Sequence, residues 1–315
     1  MIWKTIWNIL KYKFKYFLNP KMIKPEQKTY EMWLNRGYNP QPRVTFIIQS
    51  HNKSDQVCTI VEKLRLVDNS EVIVIDDGSI NSHSNKLVEF LTNGNEFILR
   101  ANDLYEVITY DRAITMARGE YIALLQDDDY FDQIDWVKQG IALFEKYEKL
   151  AILGGRNGLA HLPFDKTDDG IFGPYMLKGN IGSRANLFKF KIVGAPRGRN
   201  GFKFVESVNR SPMWIRRDYY LNKLGGIDQS FAPFQNDDTE LCLRAWTVGL
   251  QVGWYPSNFL ISVLGSGGMR IWNSNLTKRQ DDVNAKKIND RYGDKISSGF
   301  FRDLVDKANS QIEGW

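Results

Sequence analysis

Short apolar runs alternate with amphipathic segments between residues 43 and 150. The runs are rich in Val, Ile and Leu with little polar alternation, which is typical of a parallel β-sheet covered on both faces. They predict strands at Val44–Gln49, Glu71–Ile75, Glu96–Leu99 and Tyr121–Leu125. The segments between them predict helices at Asp55–Leu66, Lys86–Leu91 and Tyr105–Ala117. This half of the chain therefore predicts an α/β fold with a Rossmann-like sheet flanked by helices.

Three of the predicted strands end in clusters of polar residues. The clusters are Gln49-Ser50-His51-Asn52, Asp76-Asp77 and Asp127-Asp128-Asp129. Ligands of such sheets bind beyond the carboxyl ends of the strands. Three clusters in register therefore indicate a single site.

The acidic triplet carries the most specific chemistry. Three consecutive carboxylates repel one another, and burying them without compensation is costly. A hard divalent cation such as Mg²⁺ or Mn²⁺ prefers oxygen ligands and relieves both problems. Such ions usually bring phosphate with them, so the triplet indicates a metal–diphosphate site. The alternative is a solvated loop or a helix cap.

The chain from about Ala151 onward is less regular and is rich in glycine and aromatic residues. Its Gly-rich stretches are either binding loops or surface connections. They are Gly154-Gly155, Gly170–Pro174 and Gly194–Gly201. Further along, the pattern predicts a short strand at 212–217, a helix that opens near Asp237-Asp238, and helices around Gln280–Arg291 and Phe300–Ala308. Asp237 and Asp238 are both suited to cap their helix.

The N-terminal arm is basic and amphipathic. Residues 1–28 contain seven lysines and one glutamate, a charge of +6 in a chain whose total is +5, so the remainder carries −1. Over residues 1–18 the apolar face repeats at helical spacing, at Trp3, Trp7, Leu10, Phe14 and Phe17. Such a helix is typical of a membrane interface, but the same face would also pack on the protein body or on a second copy. The membrane hypothesis predicts a cytoplasmic protein, peripheral on the cytoplasmic face of a membrane.

Composition and missing motifs argue against several classes of protein. Basic residues are concentrated in the arm rather than spread over a folded face, which argues against nucleic-acid binding. Cys58 and Cys242 do not make a disulfide framework or a zinc site, and both fall in predicted helices as buried free thiols. No apolar stretch is long enough to span a membrane, and no signal-peptide cleavage pattern follows the arm. Neither a G-x-G-x-x-G after the first strand nor a Walker loop occurs, which argues against a dehydrogenase or a P-loop nucleotidase.

Four motifs in a fixed order carry a family resemblance. They are a strand followed by Ser50-His51-Asn52, the segment Val74-Ile75-Asp76-Asp77-Gly78-Ser79, the segment from Gly119-Glu120-Tyr121-Ile122 to Asp127-Asp128-Asp129, and Gly225-Gly226-Ile227-Asp228 followed by Asp237-Asp238-Thr239-Glu240-Leu241. The ordered set resembles the family-2 glycosyltransferases of the GT-A fold, from about Val44 to Trp254. The resemblance implies a GT-A type mixed sheet and an inverting enzyme that uses a nucleotide-diphosphate sugar.

The resemblance also implies roles for the residues at the strand ends. Asp77 is expected to contact the nucleoside, and Asp128 is expected to bind Mn²⁺ or Mg²⁺ with Asp129 as alternate ligand. Asp127 is expected to bind the ribose or the metal. The other candidates for donor binding are Gln49, His51 and Asp76. His51 either stacks on the base or is a hydrogen-bonded structural residue.

The acceptor side of the site is expected around the acidic helix. Asp238 is the candidate catalytic base, with Asp237 beside it where the family usually has Glu. A helix cap without chemistry is the alternative for Asp238. Trp214 and Arg216 are candidates for acceptor contacts, and Arg270, Lys278 and Arg279 are candidates to cover the diphosphate. The alternatives are a core tryptophan and a solvated basic face.

Departures from the family pattern bear on the metal and on the reaction. Gln126 stands where many members have the first acid of the metal motif. The segment Ile261–Gly268 lacks the histidine that many members have there, so a third protein ligand is missing. The sequence also lacks a convincing Gln-x-x-Arg-Trp segment, the mark of processive synthases, which favours transfer of a single sugar.

The predicted organisation is an arm and linker at 1–42, a GT-A domain at 43–265 and a C-terminal extension at 266–315. Residues 43–150 form the nucleotide-sugar half of that domain and residues 151–265 the acceptor half. The predicted function is metal-assisted transfer of one sugar, preferably from a UDP-linked donor, to a hydroxyl of a glycan or glycolipid in polysaccharide or glycoconjugate biosynthesis. The rival hypotheses are a nucleotidyltransferase and a non-catalytic, membrane-associated assembly partner.

Overall fold

The computed structural model describes residues 31–160, 201–210, 212–262 and 275–312, and the pairs 175–176, 181–182, 187–188 and 191–192. The predicted basic arm at 1–18, the Gly-rich segment at 170–174, most of 194–201 and 261–268, and Arg270 lie outside these residues. The described residues divide into two compact units. One contains residues 31–40 and 92–95, and the other contains the rest.

The smaller unit is held by main-chain contacts around Gly94. The Gly94 N–H donates to the Arg36 carbonyl at 2.7 Å, and the Asn39 N–H donates to Asn95 Oδ1 at 2.9 Å. A Cβ on Gly94 would lie 2.3 Å from the backbone nitrogen of Tyr38. Only glycine therefore allows this close approach of the two backbone segments.

The larger unit is built on one wide sheet. Its main strands are β1 Val44–Ser50, β2 Ser70–Asp77, β3 Glu96–Ala101, β4 Tyr121–Gln126, β5 Asp129–Phe131, β6 Leu150–Ala160, β11 Lys203–Phe204, β12 Met213–Arg216 and β13 Gln251–Ser262. Four two-residue strands form two small separate ladders. They are β7 Tyr175–Met176, β8 Ile181–Gly182, β9 Leu187–Phe188 and β10 Lys191–Ile192.

The sheet is mixed, as the sequence predicts. The strand order is β11-β13-β6-β12-β4-β1-β2-β3, and β5 pairs with β13. Strands β4, β1, β2 and β3 are mutually parallel, and β12 runs antiparallel between β4 and β6. The four apolar runs of the first half are thus confirmed as the parallel part of the sheet.

Strand β6 differs from the irregular segment that the sequence suggests after Ala151. Its glycines are packed against neighbours instead of forming a loop. A Cβ on Gly154 would lie 2.6 Å from Val208, and one on Gly155 would lie 2.7 Å from the Ser257 hydroxyl. The Gly154-Gly155 pair is therefore required by close side-chain packing within the sheet.

Helices cover the sheet. They are α1 Ser54–Leu64, α2 Asn81–Phe90, α3 Tyr105–Met116, α4 Asp135–Lys146, α5 Asp237–Thr247, α6 Asn275–Ser297 and α7 Phe300–Asn309, with shorter turns at Arg217–Tyr219, Tyr220–Leu224 and Gln229–Phe231. The helix predicted at Lys86–Leu91 in fact begins at Asn81. Its first turn is polar because Ser84 is buried against Asp76 instead of contributing to an apolar face.

The core is aromatic where the parallel and antiparallel strands meet. Trp136 and Trp214 pack edge to face with ring centroids 5.2 Å apart, and Phe46 and Phe131 pack against the pair. Such edge-to-face contacts add to the stabilisation from apolar burial. Cys58 and Cys242 are buried free thiols, as predicted. Burial raises the pKa of Cys242 to about 12, so its thiol stays protonated.

The C-terminal helices α6 and α7 pack against the sheet unit. In α7, Asn309 accepts from the Phe204 N–H at 2.8 Å and donates to the Phe204 carbonyl at 3.0 Å. One side-chain amide therefore replaces the missing neighbour of the edge strand β11. No helix within the described residues has both the length and the apolarity needed to cross a bilayer.

Candidate functional site

The polar ends of three strands meet at one edge of the sheet. In the register of β1 with its neighbours, Gln49 lies opposite Gln126 of β4 and Ser50 lies opposite Asp76 of β2. The clusters that follow these positions therefore end at the same level. The sequence argument for a single site at this edge agrees with the observed register.

Asp127 joins the end of β4 to the loop after β1. Its Oδ2 accepts from the His51 N–H at 2.9 Å, and its Oδ1 lies 3.4 Å from the Lys53 ammonium. The side chain is 1% exposed. Burial raises the pKa of Asp127 to about 6, against the opposing effects of Lys53 and the His51 N–H. Lys53 is a member of the site that the sequence motifs do not single out.

Asp128 and Asp129 are also buried, but they have different surroundings. Asp129 accepts from the Gln126 N–H at 2.7 Å, which closes the turn between β4 and β5. Asp128 follows Asp127 directly and is 7% exposed. Within the described residues, no group of three or more His, Cys, Asp or Glu side chains is arranged as a ligand set.

The acidic turn nevertheless fits a hard divalent cation. Its donors are carboxylate oxygens, which Mg²⁺ and Mn²⁺ prefer. Asp127 Oδ1 is buried and makes no hydrogen bond, its neighbour being the Lys53 ammonium. Asp128 and Asp127 are therefore the residues best suited to hold such an ion.

Asp77 binds protein backbone in this structure. Its carboxylate accepts from the Leu104 N–H at 3.0 Å and from the Tyr105 N–H at 2.8 Å, at the start of α3. Asp103 and Tyr105 have left-handed backbone angles, with φ of 57° and 58°. Asp77 is fully buried. The structure therefore gives Asp77 an anchoring position at the start of α3, and its contact with a nucleoside stays a prediction.

Asp76 is likewise fully buried. It accepts from the Ser84 hydroxyl of α2, and the Arg100 side chain at the end of β3 lies 3.6 Å away. This side chain too lies behind the surface that a donor would touch. The accessible partner is Arg100, whose side chain is 56% exposed.

His51 has a fixed ring orientation. Asn52 Oδ1 accepts from the Ile80 N–H at 2.9 Å, so the Asn52 amide nitrogen must face His51 Nε2, 3.0 Å away. Nε2 therefore accepts, and the proton resides on Nδ1, which donates to the Asp77 carbonyl at 3.0 Å. These contacts match the alternative of a hydrogen-bonded structural histidine. Gln49 is also buried, at 6% exposure.

An open cleft lies beyond the ends of β2 and β3. Its volume is about 520 Å³, and it is lined by Gly78, Ser79, Arg100, Ala101, Asn102 and Leu104. Gly78 turns the chain with a φ of 79°, which favours glycine. The cleft thus combines one guanidinium, two small polar side chains and the apolar side chains of Ala101 and Leu104.

The candidate base lies at the start of α5. Gln235 and Asn236, with φ of 79° and 64°, lead the chain into that helix, and Asn236 occupies the N-cap position. Asp237 is buried, whereas Asp238 is half-buried and accepts from the Thr239 N–H at 2.8 Å. Neither aspartate is therefore the N-cap of this helix.

Arg210 connects the start of α5 to the end of β4. Its guanidinium pairs with Asp237 and lies 3.1 Å from Glu106 of α3. It also lies over the ring of Tyr110, 5.0 Å from the centroid, and the Tyr110 hydroxyl donates to the Leu125 carbonyl at 2.6 Å. Burial works against the charged guanidinium, but Glu106 and Asp238 outweigh it and the pKa of Arg210 is raised. Arg210 and Tyr110 thus join Asp237, the neighbour of the candidate base, to the strand that carries the acidic triplet.

The comparison with known proteins identifies the family. The sequence profile of glycosyl transferase family 2 matches residues 45–204. The chain belongs to glycosyl transferase family 2. The matched range contains the strand ends, the cleft and the acidic triplet.

Several proteins resemble this family-2 chain. EpsH of Bacillus subtilis (strain 168), provisionally named a glycosyltransferase, is 28% identical over 94 residues, 29% of this chain and 27% of EpsH. Protein y4gI of Sinorhizobium fredii (strain NBRC 101917 / NGR234) is 22% identical over 270 residues, 75% of this chain and 26% of y4gI. The chain therefore matches only about a quarter of the length of these two relatives.

The fold is that of GT-A glycosyltransferases. The crystal structure of S. aureus TarS residues 1–349 in complex with UDP-GlcNAc superposes with a TM-score of 0.52 at 12% identity. The match covers 85% of this chain and 74% of that one.

Two of the candidates for acceptor contacts make their contacts elsewhere in the structure, and their acceptor roles stay predictions. Trp214 is completely buried in the aromatic core, so it is the core tryptophan of the alternative hypothesis. Arg216 pairs with Tyr121, at the amino end of β4, and its guanidinium donates to the carbonyls of Phe144 and Leu150. It therefore lies at the opposite edge of the sheet from the acids. Because β12 runs antiparallel to β4, the last residue of β12 lies at the end of β4 that is farthest from the acidic triplet.

The remaining basic candidates belong to the C-terminal segment. Arg270 lies outside the described residues, and Lys278 and Arg279 are in the second turn of α6. Arg279 is exposed, as the solvated alternative expects. The basic residues found at the site are instead Lys53, Arg100 and Arg210. Lys53 and Arg100 follow strands that end at the site edge, which is the sequence signal that would have found them. Arg210 belongs to no motif.

Proposed function

We propose that this family-2 chain is an inverting glycosyltransferase that moves one sugar from a UDP-linked donor to a hydroxyl of a glycan or glycolipid acceptor. The observation that carries the proposal is the link from Asp237, the neighbour of Asp238, through Arg210 and Tyr110 to the acidic end of β4. Through these contacts, the helix start that carries the candidate base is connected to the strand that carries the candidate diphosphate site. TarS, which shares the fold, binds UDP-GlcNAc, and this supports a UDP-linked donor.

The donor is proposed to lie along the edge of the sheet. The cleft at Gly78, Arg100 and Leu104 suits the nucleoside, and the diphosphate would then extend towards Asp127 and Asp128. A bound Mn²⁺ or Mg²⁺ would supply Lewis-acid neutralisation of the leaving diphosphate there. Lys53 adds a positive charge beside Asp127 on the same side.

Asp238 is proposed to accept the proton of the attacking hydroxyl. Arg210 neutralises Asp237 and leaves the half-buried Asp238 accessible as the second carboxylate. Inversion by a single displacement requires a base within hydrogen-bonding reach of the attacking hydroxyl. The basic, aromatic arm at 1–18 favours a lipid-linked acceptor at the cytoplasmic face of a membrane, although it would also pack on protein.

The test is nucleotide release from a panel of nucleotide sugars with Mn²⁺, with Mg²⁺ and with chelator. We expect one donor to be hydrolysed slowly by the wild type. Asp128→Ala and chelator are expected to lower that rate by at least about 100-fold, since metal and electrostatic stabilisation of the leaving group is usually a large term. Asp238→Asn is expected to abolish transfer while donor binding persists.

The matched control is Asp132→Ala, which removes an exposed carboxylate three residues after the last acid of the triplet. Its rate is expected to equal that of the wild type. Transfer by Asp238→Asn would contradict the base assignment. Absence of binding to any nucleotide sugar would favour the non-catalytic assembly partner, and synthesis of a nucleotide sugar from a nucleoside triphosphate would favour the nucleotidyltransferase.

A further inference from the structure

The loop before the candidate base is conformationally costly. Gln235 and Asn236 both have left-handed backbone angles, which residues other than glycine rarely adopt. Such conformations persist only when the surrounding structure holds them in place. The loop ends two residues before Asp238, so whatever holds it also fixes where that carboxylate points.

Helix α6 holds this loop through its backbone carbonyls. The Asn284 amide nitrogen lies 2.9 Å from the Phe231 carbonyl, 2.9 Å from the Phe234 carbonyl and 2.8 Å from the Gln235 carbonyl. Asn284 is completely buried. Three backbone carbonyls of the loop therefore lie within hydrogen-bonding distance of one amide nitrogen.

Residues of α6 itself also fix the orientation of the Asn284 amide. Its Oδ1 accepts from Gln280 and from Lys287 of the same helix, each at 3.2 Å. Both donors belong to α6, so the amide oxygen faces the helix and the nitrogen faces the loop. The helix therefore determines the direction in which the Asn284 amide faces.

Two further bonds from α6 reach the same loop. Gln280 donates to the Ala232 carbonyl at 3.2 Å, and Asp281 accepts from the Asn236 amide at 2.7 Å. The Asn236 bond constrains the side chain of one of the two left-handed residues directly. Together the three α6 residues contact the loop at both ends of its strained part.

We propose that Asn284 is a positioning residue for Asp238, acting through the backbone of the 231–236 loop. The inference rests on the proposed role of Asp238 as base. Asn284 touches neither the donor cleft nor the acidic turn in this structure. It acts on the acceptor side, by presenting α5 and its first-turn carboxylate in one orientation.

The test compares Asn284→Ala and Asn284→Asp with Lys286→Ala. Lys286 is an exposed residue of the same helix that pairs with Asp290, and its substitution is the matched control. Readouts are kcat and KM for nucleotide release from the donor found by the panel, UDP affinity in Mn²⁺ buffer, and hydrogen exchange at the Glu240 amide, which donates to the Asn236 carbonyl. All are measured well below the unfolding temperature.

The expected result is a split between catalysis and binding. The kcat of Asn284→Ala falls by roughly 10- to 100-fold, the scale of a misplaced catalytic group, while UDP affinity stays within about two-fold. Exchange at Glu240 becomes faster. In the Asp238→Asn background the second substitution causes no further loss, because residues that act as a unit are not additive. Lys286→Ala matches the wild type throughout.

A purely structural role gives a different result. If the Asn284 variants have lowered unfolding temperatures but unchanged kcat per folded molecule and unchanged exchange, the inference is overturned. If they do not fold, Gln280→Ala removes the bonds to the Ala232 carbonyl and to Asn284 Oδ1, and it must show a smaller loss of the same kind for the inference to stand. A wild type that neither binds UDP nor releases nucleotide overturns the proposed function and this inference with it.

Discussion

Arg210 balances the charges on the acceptor side of the site. It is 6% exposed and lies between Glu106 and Asp237, with Asp238 close enough to raise its pKa further. A buried cation must be paired, and removing one partner leaves an uncompensated charge. This arrangement explains why two adjacent aspartates have different surroundings. The acidic motif was predictable from the sequence, but its cation was not, because Arg210 is contributed by an irregular segment with no periodic pattern.

The protonation of Asp127 is expected to make stability depend on pH. Its pKa rises from 3.8 to about 6 on burial. The folded state therefore holds the proton more tightly than the unfolded chain, so the stabilisation is complete below about pH 4 and is lost as pH rises through about 6. Relative to the wild type, Asp127→Asn is expected to gain about 3 kcal/mol of unfolding free energy between those values.

Chemical denaturation with chelator present, at several pH values across this window, measures the difference. Asp132→Asn, which alters an exposed carboxylate of the same segment, serves as the control for loss of one negative charge. A difference for Asp127→Asn that does not change with pH would show that the carboxylate titrates in the same way in both states.

The elements of the parallel half were predictable because each strand is a continuous apolar run. The ends of those strands were predictable too, since parallel strands share one carboxyl edge. The pattern could not predict which hydrogen bonds each polar side chain makes. Asp76 and Asp77 were expected at the ligand, yet they bind Ser84 and the backbone of the α3 start. Position along a strand is periodic, whereas hydrogen-bond partners depend on segments far away in the sequence.

The anchoring of α3 by Asp77 gives a prediction at this scale. Asp77→Ala leaves the part-buried Leu104 and Tyr105 N–H groups without their acceptor, which is expected to lower the unfolding free energy by about 1–3 kcal/mol. Urea denaturation measures the loss, and Asp132→Ala is expected to unfold at the wild-type urea concentration. Unchanged stability combined with lost UDP binding would instead support the original expectation of a nucleoside contact.

The C-terminal helices complete the sheet unit in two ways. Helix α6 contacts the loop ahead of α5, and α7 covers the edge strand β11 through Asn309. The sequence predicted helices here, and these are confirmed, but it assigned them to an extension after residue 265. That boundary stays a prediction. The contacts of these helices could not be predicted from the sequence pattern, which has mixed charge and weak periodicity. They are made by side-chain amides and not by an apolar face.

Loss of α7 is expected to expose the edge of the sheet. A chain ending at Gly299 leaves the Phe204 N–H and carbonyl without their Asn309 partner, and an open strand edge pairs with other chains. Light scattering is expected to show a larger mass for this truncated protein than for the full chain at equal concentration. Asn309→Ala, which keeps the helix, is expected to have a smaller effect. Identical masses for all three would contradict the edge-covering role.

The bonds from α6 to the 231–236 loop also limit how parts of such proteins can be exchanged. Asn284 follows Asp238 by more than 40 residues in the sequence, yet its amide lies against the backbone just ahead of that residue. A chimaera that took the 231–236 loop from one relative and the C-terminal helix from another would combine a loop and a helix that were not matched to each other. Grafts of this region should therefore carry the loop and α6 together.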